Sequence, residues 1–484
     1  MQVSYASTTN SSAVRKRFNS LLFSITLLFI FIAAQTNAQN YRSAGTGNWV
    51  GPPSIWEVES PAGSNNWVST SSYPNTANDT VLIRNGHTVT INTPSITIRR
   101  LVVGEGTSGI LQFDNTSGRT LTVGAGGVEI ASGGQFNASG TPQDNGNDTH
   151  TLTIQNGGSL TNNGTISFRI PDGASFFDIV NINLSGDLAG TGTSTFNNIT
   201  FNGTNNQTIS IGGTVAINGT VATTVQFNNT GTAPNNQIIN QSVAFTNAIS
   251  VTPDRTTFTA GNYVHNVNAT YLVSNASITI PTTMTVTVQQ GTMNFAHGNA
   301  SAPVPVLTLN GNLVINGGTV NAGVNTGAMA EGANALLMGG ANASITLNGG
   351  QLNVGNTNTG YGNLRMSGNN QSVTVINGTL RTERWVIGSG NAVNQTVTIN
   401  GGLVRILPTV TTTNRVALQF VQGTLVMNGG TMLIGENLTE ITTGGNLVQL
   451  ATAGTPNQPT TRRLPSTMAC VLWRAILPLR ALPT

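Results

Sequence analysis

Sixteen acidic residues, four histidines and one cysteine are the groups from which this 484-residue chain would build a catalytic or metal centre. Asp172, Asp178 and Asp187 form the densest acidic group, and Asp144 with Asp148 the next. Paired carboxylates serve glycoside hydrolysis as acid and base, so this is the chemistry to weigh first. Scattered Asp in Gly/Asn-rich text is more often a solvated turn residue, and that is the expectation here. The run Asp144-Asn145-Gly146-Asn147-Asp148 starts like a calcium loop but lacks its closing Glu, which favours a turn. His87, His150, His265 and His297 are far apart, with no metal-binding pair, and His87, beside an expected hairpin turn at Asn85-Gly86, is expected to be structural. Cys470 is alone, which leaves no intrachain disulfide and no zinc cluster. The expectation is therefore no catalytic residue, no metal and no cofactor.

Binding residues are more visible. Trp49, Trp56, Trp67 and Tyr73 sit close together in Gly/Pro/Ser-rich text, as a platform for sugar rings or as a hydrophobic cap. Thr-x-Thr steps occur at Thr88/Thr90, Thr120/Thr122, Thr151/Thr153, Thr285/Thr287 and Thr396/Thr398. A flat threonine array can bind ice, but outward Thr is also ordinary on an exposed strand, and unequal repeat lengths argue against a registered array. Nucleic acid is excluded by charge. Without Arg15, Lys16 and Arg17 the 19 basic residues fall to 16, against 16 acidic; without Arg462, Arg463, Arg474 and Arg480 they fall to 12. The body of the chain is neutral to mildly acidic and contains no lysine, so it offers no cationic track for phosphates.

The elements that would carry these residues are repeats. Short runs of alternating apolar residues end again and again in Asn-Gly: LTLNGNLVINGGTV (Leu307–Val320), ITLNGGQLNVG (Ile345–Gly355), VTINGGLVRIL (Val397–Leu407) and LVMNGGTMLIG (Leu425–Gly435). Counting turns at Asn348-Gly349, Asn377-Gly378, Asn400-Gly401 and Asn428-Gly429 gives spacings of 29, 23 and 28. Periods near two dozen fit the coil of a β-solenoid better than a propeller blade of about 40 residues. In each coil the aliphatic side chains point inward, Thr points out, and Asn-Gly permits the left-handed corner. The fold class expected is all-β: a right-handed parallel β-helix with an N-terminal all-β cap. Charged residues are only 7% of the chain, yet the regular aliphatic pattern argues for a packed core.

Four segments follow. Residues 1–38 have the order of a secretory signal peptide: Arg15-Lys16-Arg17, then the apolar run Leu21–Ala34, then small residues up to Ala38. Residues 39–139 differ in idiom from the later repeats. Their pattern of Trp, Pro74, Asp79-Thr80-Val81, Gly86-His87-Thr88-Val89, Val103-Gly104, Gly109-Ile110-Leu111 and Gly133-Gly134 resembles the G8 domain of extracellular proteins. That resemblance implies an all-β extracellular module, with some relatives linked to glycan handling, and it carries over no catalytic residue. Residues 140–454 hold the repeats and resemble the repetitive surface proteins of gliding and host-associated bacteria. Residues 455–484, rich in Arg, Leu and Pro, break the pattern and are expected to be an aberrant or unstructured tail. The expected function is that of a secreted or cell-surface structural and adhesive β-helix protein of bacterial origin, meeting extracellular glycans or cell surfaces. It has no transmembrane segment in the mature chain. The alternative is a polysaccharide-binding or polysaccharide-degrading β-helix.

Overall fold

The computed structural model describes residues 38–140, 146–172, 176–213, 215–217, 225–241, 256–273, 277–295, 306–323, 334–355, 362–388, 392–407, 416–434 and 446–450. The proposed signal peptide and the tail lie outside them, apart from Ala38. The described residues form strands and turns with no helix, so none is long and apolar enough to cross a membrane.

The chain is a parallel β-solenoid. Strands of three to five residues with inward aliphatics pair with their counterparts in the next coil, so that one coil supplies backbone hydrogen bonds to the next. One central ladder begins at Asn40–Ser43 and runs through Thr80–Ile83, Leu160–Asn162, Gln237–Asn240, Asn312–Ile315, Ser344–Leu347, Ser372–Val375 and Thr396–Ile399 to Thr424–Met427. A second ladder precedes it within each coil and a third follows it. In the first half these are the row from Ser95–Val103 to Val225–Asn228 and a seven-stranded sheet from Gly47–Asn48 to Val215–Ile217. In the second half a seven-stranded sheet from Ile278–Ile280 to Asn446–Leu450 takes the preceding place. The row from Thr379–Thr382 through Leu403–Ile406 to Thr431–Ile434 then follows the central one.

Alternation does the packing. Thr396–Ile399 and Ser372–Val375 bury Val397, Ile399, Val373 and Val375 completely and leave their Thr and Ser half-exposed. Each fully buried aliphatic contributes roughly 1.5–3 kcal/mol. The aromatic interior is stacked as well: Phe201, Phe227 and Phe258 follow one another at ring separations of 5.6 and 5.8 Å.

The stack passes residue 139 without a break. Thr120–Ile130 pairs in parallel with both Thr149–Ile154 and Leu160–Asn162, so residues 39–139 supply the opening coils of the same core. Asn85-Gly86 belongs to this arrangement. Thr80–Ile83 and Thr88–Ile91 on its two sides join different sheets, so it is a coil corner and not a hairpin turn. What covers the open end is an antiparallel pair, Trp56–Glu59 with Trp67–Thr70, laid against Asn40–Ser43. Uncovered parallel edges invite pairing with other chains, and this arrangement occupies one.

Glu59 fastens the cover. Its carboxylate accepts from Asn40 Nδ2 at 2.6 Å and from the Asn65 N–H at 2.7 Å. The bonds from Asn40 and then from backbone N–H groups hold its pKa below the ordinary 4.5. A lowered carboxylate pKa contributes stability above the unfolded value that is lost as pH falls through the folded one. Amide exchange at Asn65 should therefore accelerate below about pH 4.5 in the native chain and be pH-independent in this respect in Glu59→Gln.

Candidate functional site

Three acids separated in sequence meet at one corner in the first half of the stack. Asp148 precedes the strand Thr149–Ile154, and Asp178 lies in Phe177–Leu184, the matching strand one coil on. Thr149 pairs with Ile179, and the Ile179 N–H donates to the Asp148 carbonyl at 2.8 Å, so Asp148 and Asp178 occupy successive rungs. Asp172 joins them: its Oδ2 accepts from the Gly146 N–H at 3.1 Å. All three side chains are buried, at 8%, 1% and 1% exposure for Asp148, Asp172 and Asp178. The expectation of solvated turn residues fails here because each strand's alternation turns Asp178 inward with Val180, Ile182 and Leu184. Asp148 shares the parity of His150, Leu152 and Ile154 in the same way. Asp187 is elsewhere: half-buried, it accepts from the Thr208 N–H at 2.7 Å and ties two rungs together. Asp144 lies outside the described residues.

Charge around the corner is arranged in layers. Arg169 pairs across from Ile179, and its guanidinium sits 3.5 Å over the Phe177 ring. Phe177 and Ile179 point to the face opposite Asp178, since successive side chains on a strand alternate. His150 lies flat on Phe113, with ring centroids 4.6 Å apart, and neither ring nitrogen has a hydrogen-bond partner. Burial is the main cause that lowers its pKa to about 4, with Asp114 opposing and Arg119 adding slightly. The imidazole is neutral at pH 7. Among the described residues no three His, Cys, Asp or Glu side chains converge on a common point at metal-ligand distance.

The aromatic platform divides. Trp49 and Trp56 are each 1% exposed, packed edge-to-face at 4.8 Å, and their indole N–H groups donate to the carbonyls of Pro74 and Trp49. Their faces are therefore closed to a sugar ring, and both belong to the cover of the first coil. Trp67 is half-buried beneath the Arg42 guanidinium at 4.3 Å, and Tyr73 alone is exposed. His87 lies 2.8 Å from Ser43 Oγ at the same end of the stack.

The Asn-Gly corners form ladders with one substitution. Asn348 Nδ2 donates to Asn316 Oδ1 at 2.7 Å, and Asn428 Nδ2 to Asn400 Oδ1 at 2.8 Å. Between them the place of Asn is taken by Ile376, whose N–H bonds to Leu347 O as that of Asn400 bonds to Val375 O. Asn377 and Gly378 stand one position later than their apparent equivalents, with Asn377 in the place of Gly349 and Gly401. Thus the coils repeat at 28, 24 and 28, from Asn348 through Ile376 and Asn400 to Asn428. Ile376 is 47% exposed and interrupts the amide ladder. Ile376→Asn should restore it and raise stability by about 1 kcal/mol, read as a higher melting temperature.

Two features escaped sequence reasoning. Gln207, Gln371 and Gln395 are completely buried and pin adjacent coils: Gln371 Nε2 donates to Met338 O and Gly340 O at 2.7 and 2.9 Å. Gln207 donates likewise to Leu184 O and Gly186 O, both at 2.9 Å. Their signal was parity, since each lies two residues before the inward aliphatics of its strand. The second is registration. Thr285, Asn312, Ser344, Ser372, Thr396 and Thr424 form one outward row, with Val314, Thr346, Thr374, Thr398 and Val426 beside it; Thr287, in register with this second row, is buried and donates to Asn262 Oδ1 at 3.1 Å. The unequal repeat lengths are absorbed between strands, so the array is in register after all. Ser344 Oγ donates to Asn312 Oδ1 at 2.7 Å along the row.

No family model, no curated protein and no solved structure matches this chain.

Proposed function

We propose that this chain is a secreted or cell-surface structural and adhesive β-helix protein without catalysis, which holds a binding face away from the cell. The observation that supports this most is the pair of outward rows on the central ladder. From Thr285 to Val426 they offer hydroxyls, amides and methyls at a repeat of about 4.8 Å, with no ionisable group among them. Such a face suits an uncharged, extended ligand and contains no acid, base or nucleophile in a polarised setting. The signal-like order of residues 1–38 and the resemblance of residues 39–139 to extracellular G8 modules support export, and extracellular glycans or cell surfaces are the partners expected.

The same rows support the second reading, a polysaccharide-binding or polysaccharide-degrading β-helix, because hydroxyl and amide side chains are both donors and acceptors for sugar hydroxyls. Binding of the purified chain to intact cells and to insoluble neutral polysaccharides tests the first reading. Retention that is lost when Thr346, Thr374 and Thr398 are replaced together by Glu is expected. Indifference to every surface would overturn adhesion, and release of soluble sugar from a polysaccharide panel would establish degradation.

A further inference from the structure

The corner at Ile376-Asn377-Gly378 differs from its neighbours in where its amide groups are committed. In the ladder corners the Asn side chains bond to one another, Asn348 to Asn316 and Asn428 to Asn400. The glycine N–H groups there are tied to the preceding coil as well: that of Gly349 bonds to Ile315 O at 3.2 Å and that of Gly429 to Ile399 O at 3.2 Å. Displacement by one residue changes both arrangements. The Asn377 N–H now takes the equivalent carbonyl, Leu347 O, at 3.2 Å. The Gly378 N–H turns instead to its own neighbour and donates to Asn377 Oδ1 at 2.9 Å. In every other Asn-Gly pair among the described residues, the glycine N–H donates to a group outside the pair. Asn377 is also exposed, so water and hydroxide reach it.

We infer that Asn377 is a site of spontaneous covalent modification, at which the Gly378 backbone nitrogen displaces the side-chain amide and water opens the resulting imide. Cγ is one bond beyond Oδ1, so the hydrogen bond keeps nucleophile and carbon near the separation of about 3–3.5 Å from which reaction proceeds. Hydroxide removes the Gly378 N–H proton, and the nitrogen attacks Asn377 Cγ. The Cγ–Nδ2 bond then breaks, and ammonia leaves with a proton from water, which regenerates hydroxide. Water opens the cyclic imide at either carbonyl, giving aspartate or isoaspartate. In the ladder corners the same closure must first break a bond to the preceding coil. Either product adds a negative charge here, and isoaspartate adds a backbone carbon at a crowded joint, where a Cβ on Gly378 would meet Gly350 O at 2.5 Å. This inference is independent of the adhesive reading.

The test incubates the full purified chain in warm, mildly alkaline buffer, folded and in parallel in guanidinium chloride. Peptide mapping by mass spectrometry and an isoaspartate assay follow the conversion. In the folded chain Asn377 should convert first, at least about tenfold faster than Asn348, Asn400 and Asn428. In guanidinium chloride the four should convert at similar rates, because each is followed by glycine. In folded Asn377→Gln, whose longer side chain must close a larger ring, the early isoaspartate should disappear. Conversion of folded Asn377 no faster than that of the ladder residues would overturn the site. So would an equal lead for Asn377 in guanidinium chloride, or early isoaspartate that persists in Asn377→Gln.

Discussion

Replacing Gly350 with Ala should be among the most damaging single-methyl changes in the chain, costing roughly 3 kcal/mol. Gly350 is the second glycine of its Asn-Gly-Gly corner and has φ +65°, the left-handed region that an L side chain adopts at a cost of roughly 1–2 kcal/mol. Space is the larger obstacle. A Cβ there would lie 2.3 Å from Gly318 O, the carbonyl at the same corner one coil back, so backbone and not a yielding side chain would have to move. The next coil repeats the situation, where a Cβ on Gly378 at φ +89° would meet Gly350 O at 2.5 Å. Gly157 provides the internal control. It has φ +76°, the same left-handed backbone, but nothing lies within 4 Å of a Cβ placed there. Thermal melting of Gly350→Ala and Gly157→Ala should therefore separate clearly, with the first far below the native chain and the second lowered only by the roughly 1–2 kcal/mol of the left-handed backbone. Equal losses would mean that corner sterics are not what couples one coil to the next.

Acid should weaken the first half of the stack through His150. Its folded pKa of about 4 lies below the ordinary 6.5, so the folded chain refuses a proton that the unfolded chain accepts. The sign follows. Stability is complete above pH 6.5, declines as pH falls from 6.5 toward 4, and levels once the folded imidazole also titrates. A difference of this size corresponds to roughly 3 kcal/mol. His150→Phe should keep the contact with Phe113 and remove both the titration and two buried nitrogens that have no hydrogen-bond partner. Melting between pH 4 and 7 is expected to fall steeply for the native chain and to flatten for the variant. Parallel slopes would show that His150 is not the group responsible.

How much of this was legible beforehand differs by level. The solenoid could be read because each strand repeats a local rule, aliphatic inward and Thr outward, and each corner repeats Asn-Gly. Register could not be read as well: at Val375-Ile376-Asn377-Gly378 the Asn-Gly pair is displaced by one, and only hydrogen bonding to the previous coil shows Ile376 in the place of Asn. The threonine rows were obscured for a related reason, because loop length and strand register are independent in a coil. The acidic corner was half visible. Asp148 and Asp178 share the parity of Leu152, Ile154, Val180 and Ile182, which marks both as inward, but their adjacency depends on which strand stacks on which. The tryptophans illustrate the converse. Composition alone fits both an exposed platform and a cover, and only the packing of Trp49 on Trp56 distinguishes them.

The central claim is that successive coils lie in register as one parallel stack, and cross-linking tests it most directly. With Cys470 replaced by Ser, cysteines at Thr346 and Thr374 would occupy neighbouring rungs of the central ladder, within the 4.4–6.8 Å Cα separation that a disulfide requires. Cysteines at Thr346 and Thr398 would be two rungs apart and out of reach. Oxidation followed by peptide mapping should give an intrachain disulfide for the first pair and free thiols for the second. A chain in which Thr346 and Thr374 fail to join, or in which Thr346 joins Thr398 instead, would contradict the stack.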